Sequence, residues 1–134
     1  MLKSRVVPLS LVLAAGVLAP AAPAAADGIS VGTGGSCSKK AGFQFTVTVT
    51  NHGPLHWRFK VDSNRARQKW RVRVVDNGHV AFQGTRRTKG KRGVLVVRRK
   101  SANRSGTDQV TARAWQIRKG KKVQVCSGQV LVGA

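Results

Sequence analysis

The sequence predicts an all-β protein, an antiparallel β-sandwich of the immunoglobulin or fibronectin kind built from seven or eight short strands. Apolar and polar residues alternate along most of the chain, which is the period of a half-buried strand. Turn-forming residues separate the alternating segments at intervals of roughly 8–12 residues, as in all-β domains. No segment shows a helical period. A small β-barrel is the alternative architecture that this pattern allows.

The first 26 residues are predicted to be a signal peptide that is removed on export. Lys3 and Arg5 provide a positive start, residues 6–19 are mostly apolar, and residues 24–26 are the small residues that a signal peptidase requires. A membrane anchor fits less well, because the apolar run is shorter than the roughly 20 residues that cross a bilayer and is bounded by Pro20 and Pro23. We therefore expect an exported monomer, secreted or associated with the cell envelope, without a transmembrane segment.

Residues 27–36 are rich in glycine and are predicted to form a flexible N-terminal segment, with only a weak strand signal at residues 29–31. A single domain is predicted to span residues 37–134, a length that supports one two-layer core. Its strands are expected at residues 43–49, 57–61, 70–74, 80–84, 94–97, 110–115, 123–126 and 130–132.

Three segments give more specific expectations about the sheets. Asn77 and Gly78 predict a type I′ hairpin, because both residue types readily adopt positive φ angles. A second turn is expected at residues 118–121. Residues 94–97 are apolar without a break, so we expect that strand to be covered on both faces.

The cysteines and tryptophans indicate how the domain is held together. Cys37 and Cys126 are the only cysteines, and an isolated pair in an exported protein predicts one disulfide. It would close a loop of 90 residues and stabilise the fold by about 4–5 kcal/mol in the chain-entropy model. Its position predicts a link between the chain ends rather than the mid-strand bridge of immunoglobulin domains. A catalytic thiol is the alternative, but it would need a partner base. Trp57 and Trp70 fall on apolar positions and are the candidate core tryptophans, whereas Trp115 falls on a polar position.

The charge balance restricts the possible functions. The chain has 25 Lys and Arg residues and only 4 acids, all of them Asp, which gives a formal charge of +21 at pH 7. Removal of the signal peptide takes away Lys3 and Arg5 and leaves +19. Such a surface attracts polyanions and repels basic partners. Hydrolases that use paired carboxylates or a metal are disfavoured, and no G-x-S-x-G motif occurs. We therefore predict a binding protein without a cofactor, not an enzyme.

No metal site is predicted. His52 and His56 have helical spacing, but Gly53 and Pro54 between them exclude the helix that would align their side chains. Residues 62–64 begin like a calcium loop, but the glycine and the later acids of such a loop are missing, so a polar turn is expected.

The basic residues are the candidates for a function. Arg58 and Lys60 occupy outward positions of one strand, and Lys69, Arg71 and Arg73 occupy outward positions of the next. If these strands pair, as sequential strands usually do, the five cations share one sheet face. A second cluster lies in or beside one loop. Its members are Arg86, Arg87, Lys89, Lys91 and Arg92. We predict that these two groups bind polyanions.

Solubility is the competing role for the basic residues. Further basic runs at residues 98–104 and 118–122 fit that role, although solubility surfaces usually mix both signs of charge. Base-specific reading of nucleic acid is not expected, because most aromatic residues fall on inward positions. Candidate ligands are cell-envelope phosphate polymers, nucleic acid and acidic polysaccharide. The alternative function is a protein-interaction or structural module, or an inhibitor, with an acidic protein partner, and a hydrolase ranks third.

Several segments resemble a group of small secreted actinobacterial proteins. These are residues 61–72 (VDSNRARQKWRV), 84–88 (GTRRT), 101–108 (SANRSGTD) and 112–114 (ARA). The group has a signal peptide, an early Cys-Ser, a V-D-x-N core followed by Trp, an arginine-rich middle and a late cysteine. The resemblance covers most of residues 37–126, and it implies export, the disulfide and the all-β fold but no particular activity. This chain differs from the group by Arg65 and Arg67, which lie in a loop that is less charged in the group.

Overall fold

A computed structural model describes residues 28–51 and 53–133, and these residues form eight β-strands and no helix. The predicted signal peptide and His52 lie outside the described residues. The strands are β1 (Ile29–Ser36), β2 (Gly42–Val49), β3 (Leu55–Asp62), β4 (Lys69–Asp76), β5 (His79–Arg87), β6 (Val94–Ser101), β7 (Asp108–Arg118) and β8 (Lys121–Val132). The described part of the chain has no helix that is long and apolar enough to cross a membrane.

The strands form two antiparallel four-stranded sheets. The first sheet has the order β1-β2-β3-β6 and the second has the order β5-β4-β7-β8. From β2 onward this is an immunoglobulin-like arrangement, with β2, β3 and β6 in the places of strands A, B and E and the other sheet in the order C′-C-F-G. The prediction of an antiparallel β-sandwich is confirmed.

The core lies between the inner faces of the two sheets. Every second residue of the central strands β3, β4 and β7 is buried, as the alternation predicts. Trp57 and Trp70 are both in this core, at 2% and 0% exposure. Phe45 packs edge-on against Trp57 and Phe59, and this aromatic group fills the first sheet's side of the core.

The strand segments predicted at residues 123–126 and 130–132 form one continuous strand, β8. Two further expectations about strands are wrong. The sequence predicts a flexible segment at residues 27–36, but Ile29–Ser36 form β1, which pairs with β2 along its whole length. Its glycines permit close approach to β2, since a Cβ atom on Gly34 would lie only 2.8 Å from the Phe43 carbonyl oxygen. The apolar run at residues 94–97 is not covered on both faces, because the sandwich has two layers and the outer face of β6 is open to solvent, where Val96 is 39% exposed.

The turns follow the expected residues. Asn77 and Gly78 connect β4 to β5 with φ angles of 49° and 82°, as the type I′ prediction requires. Lys119 and Gly120 connect β7 to β8 with φ angles of 50° and 74°.

The two connections that cross between the sheets at one end of the sandwich are tied to each other. The β3–β4 connection contributes Arg67, whose backbone N–H donates to the Thr88 carbonyl at 2.7 Å in the β5–β6 connection. The Ser63 hydroxyl donates to the Gly93 carbonyl at 2.9 Å. A Cβ atom on Gly93 would collide with the backbone of Arg65, so this close contact requires glycine.

The predicted disulfide between Cys37 and Cys126 is confirmed, and it joins the β1–β2 connection to β8. The Ser38 N–H donates to the Val125 carbonyl at 2.8 Å, and the Val125 N–H donates to the Ser38 hydroxyl at 2.8 Å. The bond links segments near the two ends of the domain, with Cys37 outside the strands and Cys126 midway along the edge strand β8. It does not join β3 to β7, which occupy the places of the strands that the immunoglobulin disulfide connects.

Candidate functional site

The predicted basic residues of β3 and β4 do not share a face. These strands are consecutive in the chain but belong to different sheets, because residues 63–68 cross the sandwich instead of forming a hairpin. Arg58 and Lys60 therefore lie on the outer face of the first sheet. Lys69, Arg71 and Arg73 lie on the outer face of the second sheet, on the opposite side of the core. The expectation of a single five-cation face is wrong.

The outer face of the first sheet acquires its other cations from β6. We call Arg58, Lys60, Arg98 and Lys100 the first basic face. Arg58 stands directly opposite Arg98 in the β3–β6 ladder, and His56 stands opposite Lys100. Cβ atoms of directly opposite residues are about 5 Å apart, so the positive groups of this face are close neighbours.

A shallow groove of about 520 Å³ runs across the first basic face. Its lining includes Thr46 and Thr48 of β2 and the cations Arg58, Arg98 and Lys100. The Nε atom of Arg58 is buried and has no hydrogen-bond partner among the described residues. A guanidinium N–H is a strong donor, so Arg58 brings an unsatisfied buried donor, as well as its charge, to the lining of the groove.

The outer face of the second sheet carries a larger basic group, drawn from all four strands. We call it the second basic face. Its members are Lys69, Arg71, Arg73, Arg87, Arg113 and Lys122. Arg73 stands directly opposite Arg113, and Lys69 stands between Arg87 and Ile117. All six cations are exposed to solvent.

The second basic face also presents an aromatic ring. Trp115 is half-buried on the outer face, as its polar strand position predicts, and it stands opposite Arg71. The Lys122 Nζ atom lies 4.9 Å from the Trp115 ring centroid, within the range of a cation–π interaction. A hollow of about 470 Å³ lies around this ring and is bordered by Arg73 and Arg113.

The remaining predicted residues lie at the rim of the sandwich. Arg86 is on the edge strand β5, with its guanidinium carbon 5.0 Å from the Phe82 ring centroid, and Arg99 of β6 approaches the same ring at 5.1 Å. Lys89, Lys91 and Arg92 are exposed in the β5–β6 connection. Together with Arg65 and Arg67 of the adjoining connection they form what we call the end cluster.

Acidic residues are nearly absent from the described surface. The acids of residues 28–51 and 53–133 are Asp62, Asp76 and Asp108, and the last two are each 1% exposed. Among these three described acids, Asp62 alone lies near the surface, at the end of β3, where it accepts a hydrogen bond from the Asn64 N–H at 3.3 Å. The second basic face thus has no carboxylate of the described chain to neutralise it.

The two buried acids differ in their hydrogen bonding. An Asp108 carboxylate oxygen accepts a bond from the Asn77 side-chain amide at 2.7 Å. Both Asp76 oxygens lack a partner of normal geometry among the described residues. Burial raises the pKa of Asp76, and the nearby Asp108 raises it further. The Ser101 hydroxyl is close enough to lower the Asp76 pKa, but it does not reach hydrogen-bond geometry.

Sequence reasoning missed part of each face. It places Arg98 and Lys100 in a general basic run, and it does not select Arg113, Trp115 or Lys122 as binding residues. The alternation of Arg113 with Ala112 and Ala114 is the signal that places it outward. Its position opposite Arg73 depends on the pairing of β4 with β7, which no local pattern reveals. Within the described residues, no three His, Cys, Asp or Glu side chains group as metal ligands.

Comparison of the chain with family models, with curated proteins and with solved structures finds no match.

Proposed function

We propose that this protein is a secreted binding protein that holds linear polyanions electrostatically on its basic faces, without catalysis. The observation that carries the proposal is the pair of directly opposed arginines on each face. These are Arg58 with Arg98 and Arg73 with Arg113. Like charges at directly opposite positions destabilise a sheet, so each pair costs the folded protein stability in the absence of a counterion. A bound anion would offset that cost.

The chemistry of arginine favours phosphate, sulfate or carboxylate groups as the contacts. A guanidinium binds such groups through two parallel N–H bonds, and these charge-assisted bonds are stronger than neutral ones. Repeated anions along a polymer suit a face on which cations recur from strand to strand. Cell-envelope phosphate polymers, nucleic acid and acidic polysaccharide share this property.

The disulfide supports the extracellular part of the proposal. The disulfide between Cys37 and Cys126 is the kind of cross-link that persists in oxidising compartments. Polyanionic polymers of the cell envelope and of the extracellular space are accessible to a protein there.

Salt dependence of binding tests the proposal. We expect the logarithm of the association constant for a short DNA duplex to fall linearly with the logarithm of NaCl concentration, with a slope of about −0.9 per phosphate contact. The variant Arg58→Gln/Arg98→Gln/Arg73→Gln/Arg113→Gln removes one opposed pair from each face, so the duplex loses two contacts on whichever face it binds. The slope should become shallower by about 2, and binding should weaken about tenfold at low salt. Fluorescence anisotropy of the labelled duplex measures both quantities.

A matched control variant distinguishes the effect of the cations on the faces from the effect of net charge. The variant Lys39→Gln/Lys40→Gln removes two charges, the number that the test variant removes from each face, at exposed positions in the β1–β2 connection that are off both faces. It should keep a slope close to that of the unaltered protein. Binding that is insensitive to salt, or equally strong to neutral dextran, would contradict the proposal. Capture of one stoichiometric acidic protein from culture medium, without affinity for polyanions, would favour the protein-interaction alternative.

A further inference from the structure

We propose that a single molecule binds two polyanion strands at once, one on each basic face, and so bridges them. This inference rests on the proposed function, because it requires each face to bind. It goes further by assigning the two faces to two different ligand strands. The topology carries it, since β3 with β6 and β4 with β7 present their outward cations on opposite sides of the core.

The two faces are electrostatically independent. Packed sheets lie roughly 10 Å apart, and a long side chain on each outer surface places the charged groups of the two faces on the order of 20 Å apart. The Debye length at physiological ionic strength is about 8 Å. A strand on one face therefore neutralises little of the charge on the other, and the second face remains attractive to a second strand.

The core between the faces excludes a shared site. Phe45, Phe59, Trp70 and Val72 of the inner faces are fully buried, so no ligand passes from one face to the other through the sandwich. Around the β1–β8 side, Lys122 at the start of β8 belongs to the second basic face, and the outward residues that follow it on β8 are uncharged, as are those of β1. These uncharged positions are Ser30, Gly32 and Gly34 on β1 and Ser127, Gln129 and Leu131 on β8.

The rim at β5 and β6 is positively charged, so the experiment needs a ligand that is too stiff to bend around it. Arg86 and Arg99 flank Phe82 there, so a flexible polymer could follow this positive rim from one face to the other. A DNA duplex of about 12 base pairs is far shorter than the persistence length of about 150 base pairs and stays straight. Such a duplex contacts one face only, and two duplexes on one protein are then a direct sign of bridging.

Energy transfer between duplexes tests the inference. Donor-labelled and acceptor-labelled duplexes of the same sequence are mixed with the purified protein at low salt. We expect transfer to rise as protein is added and to fall again when protein is in excess, because each duplex then has its own protein. Anisotropy in the same samples reports binding whether or not bridging occurs.

Variants of each face test whether both faces are needed for energy transfer between the duplexes. Arg58→Gln/Arg98→Gln impairs the first basic face and Arg73→Gln/Arg113→Gln impairs the second. At protein concentrations that saturate one duplex, each variant should lose at least about half of the transfer, while Lys39→Gln/Lys40→Gln keeps it. The charge-conserving variant Arg58→Lys/Arg98→Lys should also keep it, which distinguishes loss of charge from loss of folding.

The possible failures are distinguishable. Absence of binding by the unaltered protein would overturn the proposed function itself. Binding without transfer would overturn bridging and leave the proposed function standing. Loss of transfer in only one of the two face variants would also overturn the inference, because a protein dimer that exposes a single type of face would behave in that way.

Discussion

Asp76 is an acidic side chain in an unfavourable buried environment. Its carboxylate is 1% exposed and lacks a hydrogen-bond partner of normal geometry among the described residues. Burial is the largest cause of its raised pKa, and the adjacent Asp108 adds to the rise. Ser101, Arg104 and His79 act in the opposite direction but do not offset the effect of burial. In a protein with so many cations, a buried carboxylate is thus held without direct support.

The raised pKa gives stability a predictable dependence on pH. Folded Asp76 holds its proton more tightly than the unfolded chain does, so this residue makes the fold less stable as pH rises above the ordinary value of 3.8. The variant Asp76→Asn carries no such titration. Its free energy of unfolding, relative to the unaltered protein, should therefore increase as pH rises from 3.8 toward neutrality. Urea unfolding at a series of pH values measures this difference.

Asp62→Asn provides the control for that experiment. It makes the same substitution at the partly exposed acid and should change stability by less than about 0.5 kcal/mol across the series. The free energy of unfolding of Asp76→Asn, relative to that of the unaltered protein, should not decrease as pH rises. A decrease would show that the fold stabilises the ionised carboxylate of Asp76. That result would contradict the assigned environment.

At the scale of the strands, the alternation of apolar and polar residues predicts which side chains face the core. It does not predict what packs against the other face of a strand or which strands pair. The buried positions of β3 and β4 agree with the period-2 pattern, because each inner side chain meets the opposite sheet. The continuous apolar run of β6 predicts cover on both faces, yet the outer face of the strand is open to solvent at Val96. Composition alone could not decide this, since the number of layers that cover a strand depends on contacts distant in sequence.

Val96 and Val97 allow a direct test of whether only the inner face of β6 is buried. They are adjacent valines with opposite orientations, Val96 at 39% exposure and Val97 at 2%. Val97→Ala should lower the free energy of unfolding by about 2 kcal/mol, because it removes buried methyl groups from the core. Val96→Ala should cost less than about 0.5 kcal/mol. Equal losses in chemical denaturation would mean that the outer face of β6 is covered.

At the scale of the whole molecule, the fold could be predicted from the sequence and the binding surface only in part. Strand period, turn residues and the cysteine pair each have a local signal, and together they give the sandwich and its disulfide. The surface depends on which connections are hairpins and which cross between sheets. Residues 63–68 cross, and this one choice puts Arg58 and Arg73 on opposite sides and brings Arg113 beside Arg73. Polarity of the loop does not encode that choice.

The stability of the whole fold depends both on the repulsion between its cations and on its disulfide. The opposed arginine pairs repel one another, and their repulsion weakens the folded state most at low ionic strength. The disulfide, which joins residues 89 positions apart, offsets such losses by restricting the unfolded chain. The double variant Cys37→Ser/Cys126→Ser should therefore lose about 2–5 kcal/mol of stability and unfold most readily in dilute buffer.

We expect added salt to offset part of the stability that the cysteine variant loses. Between about 20 and 500 mM NaCl, screening of like charges should raise the free energy of unfolding of the cysteine variant. Adding Arg73→Gln/Arg113→Gln to it should reduce this gain by about 0.5 kcal/mol, because one opposed pair is already removed. Adding Lys39→Gln/Lys40→Gln should reduce the gain less. A salt response that is the same in all three proteins would show that the opposed pairs impose no cost. A bound polyanion would then have no repulsion between arginines to offset. A stability measurement without any ligand therefore tests the reason proposed for the binding.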